Sequence, residues 1–243
     1  MTAEIKWVFL YSLLTALATG LGALPFAFLR QVSTRGLALA ESLAAGLMLG
    51  ASFSLIAEGS HYGLTQTLTG GAFGGLLLLA GKRLLDGHDI QFGEIRGAGA
   101  RRILLILAIM TLHSFSEGIA VGVSFGGGQK LATLITLAIA VHNIPEGLAI
   151  SAVLRPQGAS LLACAGWSIF SSLPQPLMAV PAFLFVETFQ PVLPYGLGFA
   201  AGAMVLMVFL ELLPEAYEKA DSENVALWTT LALVAMVLFQ TYL

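Results

Sequence analysis

The chain has 243 residues, 57% of them hydrophobic and 10% charged, with a mean hydropathy of +0.88 and a net charge of −3. That composition excludes an ordinary soluble domain and reads as a membrane protein. The slightly acidic balance leaves no basic surface for nucleic acid, and a single cysteine, Cys164, excludes an internal disulfide or a thiolate metal cluster.

Apolar stretches fall at about residues 6–29, 36–57, 64–85, 103–125, 131–154, 160–186, 192–213 and 225–243. Each is near the ~20 residues that cross a hydrocarbon core. They predict an all-α, polytopic fold with eight transmembrane helices in one domain over residues 1–243, because lipid leaves the backbone to satisfy itself. The first stretch is longer than a signal-peptide core and is read as a retained helix. The third is the weakest span, since Gly70, Gly71, Gly74 and Gly75 crowd it.

With eight crossings, Arg30, Arg35, Lys82, Arg83, Arg96, Arg101, Arg102, Arg155 and Lys219 collect on one side, and only Lys6 and Lys130 on the other. The positive-inside rule then places both termini outside the cytoplasm. The longest loop, residues 86–100, is cytoplasmic and holds His88, Asp89 and Glu94. One histidine is a thin cluster, and the loop reads as a flexible polar connection rather than a metal-collecting one.

Helices four and five carry the chemistry. Leu112-His-Ser-Phe-Ser-Glu-Gly-Ile-Ala and Val141-His-Asn-Ile-Pro-Glu-Gly-Leu-Ala each set a histidine four residues before a glutamate in an otherwise apolar span. Positions i and i+4 share a helix face, so His113 lies over Glu117 and His142 over Glu146. A charge near a bilayer centre costs roughly 2.5–3.5 kcal/mol, so such groups face a bundle interior and have partners. Either each His and Glu satisfy one another as a buried pair, or the two faces meet as two imidazoles and two carboxylates around a divalent metal; the duplication favours the metal. Pro145 has no N–H for the Val141 carbonyl, which predicts a kink beside His142. In helix six, Pro174 and Pro176 bracket Gln175, which reads equally as a contributor to the site or as part of a structural kink.

Small residues mark close packing. Gly46/Gly50, Gly118/Gly122 and Gly198/Gly202 are GxxxG spacings, and Gly118 and Gly147 directly follow the site glutamates, so the site helices are expected to sit tightly there. Ala44-Ala-Gly46 with Met48 and Phe53 is echoed by Ala200-Ala-Gly202 with Met204 and Phe209. With the likeness of helices four and five, this predicts an inverted repeat of helices 1–3 and 6–8 around the central pair.

The two motifs resemble the fourth- and fifth-helix signatures of the ZIP (Zrt/Irt-like) family of divalent-metal transporters. The stretches from Gly46 to Glu58 and from Gly202 to Glu215 are similar to that family's second and seventh helices, and the likeness is to the compact bacterial and organellar branch. The resemblance implies that His113, Glu117, His142 and Glu146 line a transport site, with Asn143 facing a neighbouring metal position and Glu211 on the cytoplasmic release path. The residues alone also allow Glu211 as a helix-end charge paired with Lys219 or solvent. Many members place an asparagine and a helix-six glutamate at the neighbouring position; here Ser114 and Gln175 stand there, and Ser116 replaces a proline. Two uncharged groups would hold a second metal poorly.

The expected function is a carrier of Zn²⁺, with Mn²⁺, Fe²⁺ or Cd²⁺ also open to a site without thiolates, moving the ion into the cytoplasm by alternating access. The ion is substrate, no cofactor is expected, and a homodimer is one assembly left open. The membrane is that of the cell, an inner membrane or an organellar one. A zinc-dependent intramembrane hydrolase is the rival, but Ser114 and Asn143 follow the histidines where a metalloprotease motif needs glutamate. A metal sensor that binds without transporting is the third reading.

Overall fold

The computed structural model describes residues 2–29, 32–86, 111 and 114–242, and within them all regular structure is helical. Helix α1 (Thr2–Leu21) leads to a 3-10 turn, Leu24–Ala27, where Pro25 has no N–H to extend the ladder. Helix α2 (Thr34–Asp86) has 53 residues. At 1.5 Å per residue it would reach roughly 80 Å if straight, against a hydrocarbon core of about 30 Å. Extended backbone at Gly63 (φ 160°, ψ 107°) divides it, so the expected spans 36–57 and 64–85 are its two arms.

Residues 114–126 form α3. The rest of the expected span 103–125, with His113, lies outside the described residues. So do residues 87–100 of the expected loop, and Arg30, Arg96, Arg101 and Arg102 of the basic set. Three glycines turn α3 into α4 (Gln129–Leu154); Gly128 takes φ 103°, a left-handed backbone that glycine adopts without a Cβ clash. Helix α4 stays helical through Pro145.

The expected sixth span is two helices, α5 (Leu161–Ser172) and α6 (Pro174–Thr188), meeting where Pro174 and Pro176 withhold their N–H groups. The Ser160 hydroxyl caps α5 by accepting the Ala163 N–H at 3.1 Å. Helix α7 (Leu193–Met207) continues through a π-helical segment, Val208–Leu212, into α8 (Leu213–Lys219), and α9 (Ser222–Tyr242) follows. The wider π turn accommodates Pro214, whose ring crowds the carbonyl four residues back.

Among the described residues six helical stretches are long and apolar enough to cross a membrane: Ala3–Ala27, Thr34–Arg83, Gln129–Gln157, Leu161–Thr188, Gln190–Lys219 and Ser222–Phe239. Trp7, Leu14, Phe53, Phe73, Leu177 and Phe209 are each at least half exposed on outer faces, which suits lipid and not water. The protein is a polytopic helical membrane protein.

The helices pack in two groups. Helix α1 lies against α4, α5 and α6, while α2 lies against α7, α8 and α9. The groups meet where α2 contacts α4, in an apolar cluster that includes Met48, Leu55, Ile135, Ile139, Leu197 and Met204. Within the second group the glycines that crowd the second arm of α2 have a packing reason. A Cβ on Gly70 would lie 2.2 Å from the Tyr195 carbonyl oxygen, and one on Gly74 2.1 Å from that of Phe199. From the other side, a Cβ on Gly202 would lie 2.0 Å from the Gly71 oxygen. Backbone meets backbone along this seam, as small-residue packing in membranes allows.

Candidate metal site

Three helices of the first group and α3 converge on one buried cluster. Helix α3 supplies Glu117, α4 supplies His142, Asn143 and Glu146, α6 supplies Gln175, and α1 supplies Thr15; none is more than 2% exposed. The i, i+4 spacing stacks His142 over Glu146, with Nε2 and Oε1 3.9 Å apart. Across the helix interface, His142 Nε2 meets Glu117 Oε1 in a close hydrogen bond. Each of Glu117, His142 and Glu146 offers a ligand atom, and these atoms lie within 4.8 Å of one another. Ligands on a tetrahedral zinc with bonds of about 2.0 Å sit roughly 3.3 Å apart, so drawing Glu146 in slightly and letting His142 and Glu117 part would fit this set to one ion. One imidazole and two carboxylates form a borderline-to-hard donor set suited to zinc and its neighbours. His113, the fourth expected ligand, lies outside the described residues.

The amides surround this core. Gln175 Nε2 donates to Glu117 Oε2 at 2.6 Å, and Gln175 Oε1 accepts the Thr15 hydroxyl at 2.5 Å. Asn143 Nδ2 donates to the Thr15 carbonyl oxygen at 2.9 Å and to Gln175 Oε1 at 3.3 Å.

The glycines after the site glutamates bring in neighbours other than those expected. A Cβ on Gly118 would lie 2.5 Å from the Gln175 carbonyl oxygen, so it fits α3 to α6. One on Gly147 would lie 1.7 Å from the Thr19 carbonyl oxygen, so it fits α4 to α1. Each glycine thus seats its site helix on an outer neighbour.

Glu211 is not in the cluster. It sits in the π-helical segment, and its carboxylate pairs with Lys82 of α2. Lys219, the partner considered from sequence, pairs instead with Glu41 and, at 3.0 Å, with Glu215. The sequence reading missed Thr15, and with it a seam of buried hydroxyls: Ser12 and Thr19 on α1, and Ser168, Ser171 and Ser172 on α5. Thr19 and Ser172 bond across the two helices at 2.8 Å. The available signal was the spacing of Ser12, Thr15 and Thr19, which puts all three on one face of an apolar helix.

The model of the ZIP zinc transporter family matches residues 82–222. Zinc transporter GufA of Myxococcus xanthus is 35% identical over 221 residues, covering 85% of this chain and 87% of that protein. Zinc transporter ZupT of Oceanobacillus iheyensis is 35% identical over 257 residues, 95% of this chain and 96% of its own. An Arabidopsis thaliana relative is 45% identical over 242 residues, 98% of this chain, and the match spans 39% of that longer protein.

Proposed function

The chain belongs to the ZIP zinc transporter family, and on that premise we propose that it is a transporter carrying a divalent cation, zinc foremost, across its membrane into the cytoplasm. The observation that carries the reading is the convergence of Glu117, His142 and Glu146 at one buried point inside a helical membrane bundle. Two carboxylates cancel the charge of one divalent ion, which lets the ion rest where an uncompensated charge would be costly. His113, placed one turn before Glu117 by sequence, completes the set of four. Asn143 follows His142 on α4, and Gln175 holds the Glu117 carboxylate. The pairing of Glu211 with Lys82, inside the helical run from α7 to α8, favours an ion pair between helices over a station on the release path.

Eight spans are the finer count. The two arms of α2 and a span ending in α3 supply the two beyond the six stretches above, and helices 1–3 and 6–8 form the inverted repeat. Both termini then face away from the cytoplasm. Alternating access comes from movement of the α1/α4/α5/α6 group, which with α3 seated on α6 carries the site, against the α2/α7/α8/α9 group. Mn²⁺, Fe²⁺ and Cd²⁺ are further substrates that the donor set allows, and a homodimer is compatible with it.

The test is radiozinc uptake by the purified chain in liposomes. Glu117→Ala and Glu146→Ala are expected to lower uptake about 100-fold, at or beyond the upper end of the losses seen when a group supporting a metal ligand is removed. Uptake at the wild-type rate in both, from protein inserted in normal amount, would take these residues out of the mechanism.

A further inference from the structure

The two amides at the site are not held alike. Gln175 Oε1 is occupied, accepting the Thr15 hydroxyl at 2.5 Å and Asn143 Nδ2 at 3.3 Å, which leaves its NH₂ group to reach Glu117 Oε2 at 2.6 Å. Asn143 is turned the other way. Its NH₂ group is held by the Thr15 carbonyl at 2.9 Å, and its buried Oδ1 has no hydrogen-bond partner among the described residues. One residue of α1 therefore bears on both orientations: its carbonyl holds the Asn143 NH₂, which in turn faces Gln175 Oε1, and its hydroxyl, with one proton within reach of Gln175 Oε1 at 2.5 Å and of the Ser12 carbonyl at 2.7 Å, meets the same oxygen. The backbone contributes too, because the missing side chain at Gly118 lets the Gln175 main chain lie close against α3, next to Glu117.

We propose that Thr15 is a positioning residue of the transport site. It turns Gln175 into a hydrogen-bond donor to Glu117 and leaves Asn143 Oδ1 as the amide oxygen open to an ion, so that the site takes one divalent cation. This deepens the transport reading above and rests on it.

A second cation on the Oε2 side of Glu117 would meet α6 there. What α6 presents there is an N–H donor carrying positive partial charge. Flipping the Gln175 amide would set its carbonyl against the Glu117 carboxylate and its NH₂ against the Asn143 NH₂, which the Thr15 carbonyl holds in place. Charge argues the same way: among the described residues the cluster holds two carboxylates, which balance one divalent ion and not two.

The experiment uses the full chain in lipid nanodiscs. Zinc bound at equilibrium is counted per chain by dialysis and mass spectrometry, and the zinc that survives in Glu146→Ala is subtracted as belonging elsewhere. Wild type is expected to hold one ion. Thr15→Val keeps the shape and the carbonyl but loses the hydroxyl, so zinc affinity should fall about tenfold, the effect of one hydrogen bond. Uptake KM should rise by the same factor with less than about a twofold change in Vmax, and Thr15→Ser should restore both. Gln175→Glu replaces the donor with a carboxylate facing Glu117 and should raise the count to two.

Two ions in wild type, unchanged affinity in folded Thr15→Val, or a count that stays at one in Gln175→Glu would each overturn the proposal. Should Thr15→Val fail to elute as a folded protein, Thr15→Ala takes its place, and zinc affinity unchanged in that variant overturns the role given to Thr15. Wild-type uptake by Glu146→Ala would sink the transport site itself. Loss of uptake in Glu146→Ala beside an unaffected Thr15→Val would remove only the role given to Thr15.

Discussion

Glu41 lies in the first arm of α2, 3% exposed, with its carboxylate paired to Lys219, which also reaches Glu215 at 3.0 Å. Removing one charge of a buried pair strands the other. Lys219 keeps Glu215 and is itself partly exposed, so Glu41→Gln is expected to destabilise the protein by about 2 kcal/mol, below the roughly 3–5 kcal/mol of a fully buried pair. A lower thermal midpoint in detergent would register this, and Glu41→Leu with Lys219→Met should recover most of it. At the site, zinc needs neutral imidazole and ionised carboxylate, so protons compete with it. Uptake KM should therefore rise as the medium turns from neutral to mildly acidic, and a flat profile would count against His142 and the two glutamates as ligands. His142, Glu146 and Glu117 were legible because ionisable residues are rare and costly in apolar spans, and two copies of one spacing leave little to chance. Thr15 was not. A helix hydroxyl satisfies itself on a nearby carbonyl, as Ser12 does on Val8 at 2.8 Å, so its type says nothing about a partner 160 residues away.

Among the elements, glycine decides which helices touch. Gly147→Ala would drive a methyl group into the Thr19 backbone and push α1 from α4, whereas Gly166 in α5 has nothing within 4 Å of the position its Cβ would take. Gly147→Ala is expected to destabilise the protein by about 3 kcal/mol, at the upper end of overpacking costs, and to lower uptake because α1 carries Thr15. Gly166→Ala should be neutral or slightly stabilising, as the better helix former. Size-exclusion profiles after graded heating would separate the two. The spacing of these glycines was visible in sequence, but their partners were not, since a GxxxG pair names a close contact without naming the helix that makes it. Likewise Pro174 and Pro176 announced a break in the sixth span, and the structure places it between Ser172 and Pro174.

For the whole molecule, the distribution of basic residues predicts that epitope tags at either end are accessible from outside sealed cells, and protection of either tag would reverse the topology. Fold class was readable from hydropathy alone, because an unpaired backbone cannot cross lipid. The division into two packing groups was not, because apolar spans look alike whichever neighbour they meet. That division has a mechanical consequence. The hydrogen bonds that tie Thr15, Asn143 and Gln175 together and the glycine-lined seam of α2 with α7 are directional or keyed, and each lies inside one group. Among the described residues the boundary where α2 meets α4 is apolar side chain against apolar side chain, where attraction is van der Waals contact and depends little on angle. If the two groups move as proposed, such a boundary would work as a bearing: the load would stay roughly constant as one half glides past the other, with the cargo in the half that is bolted together.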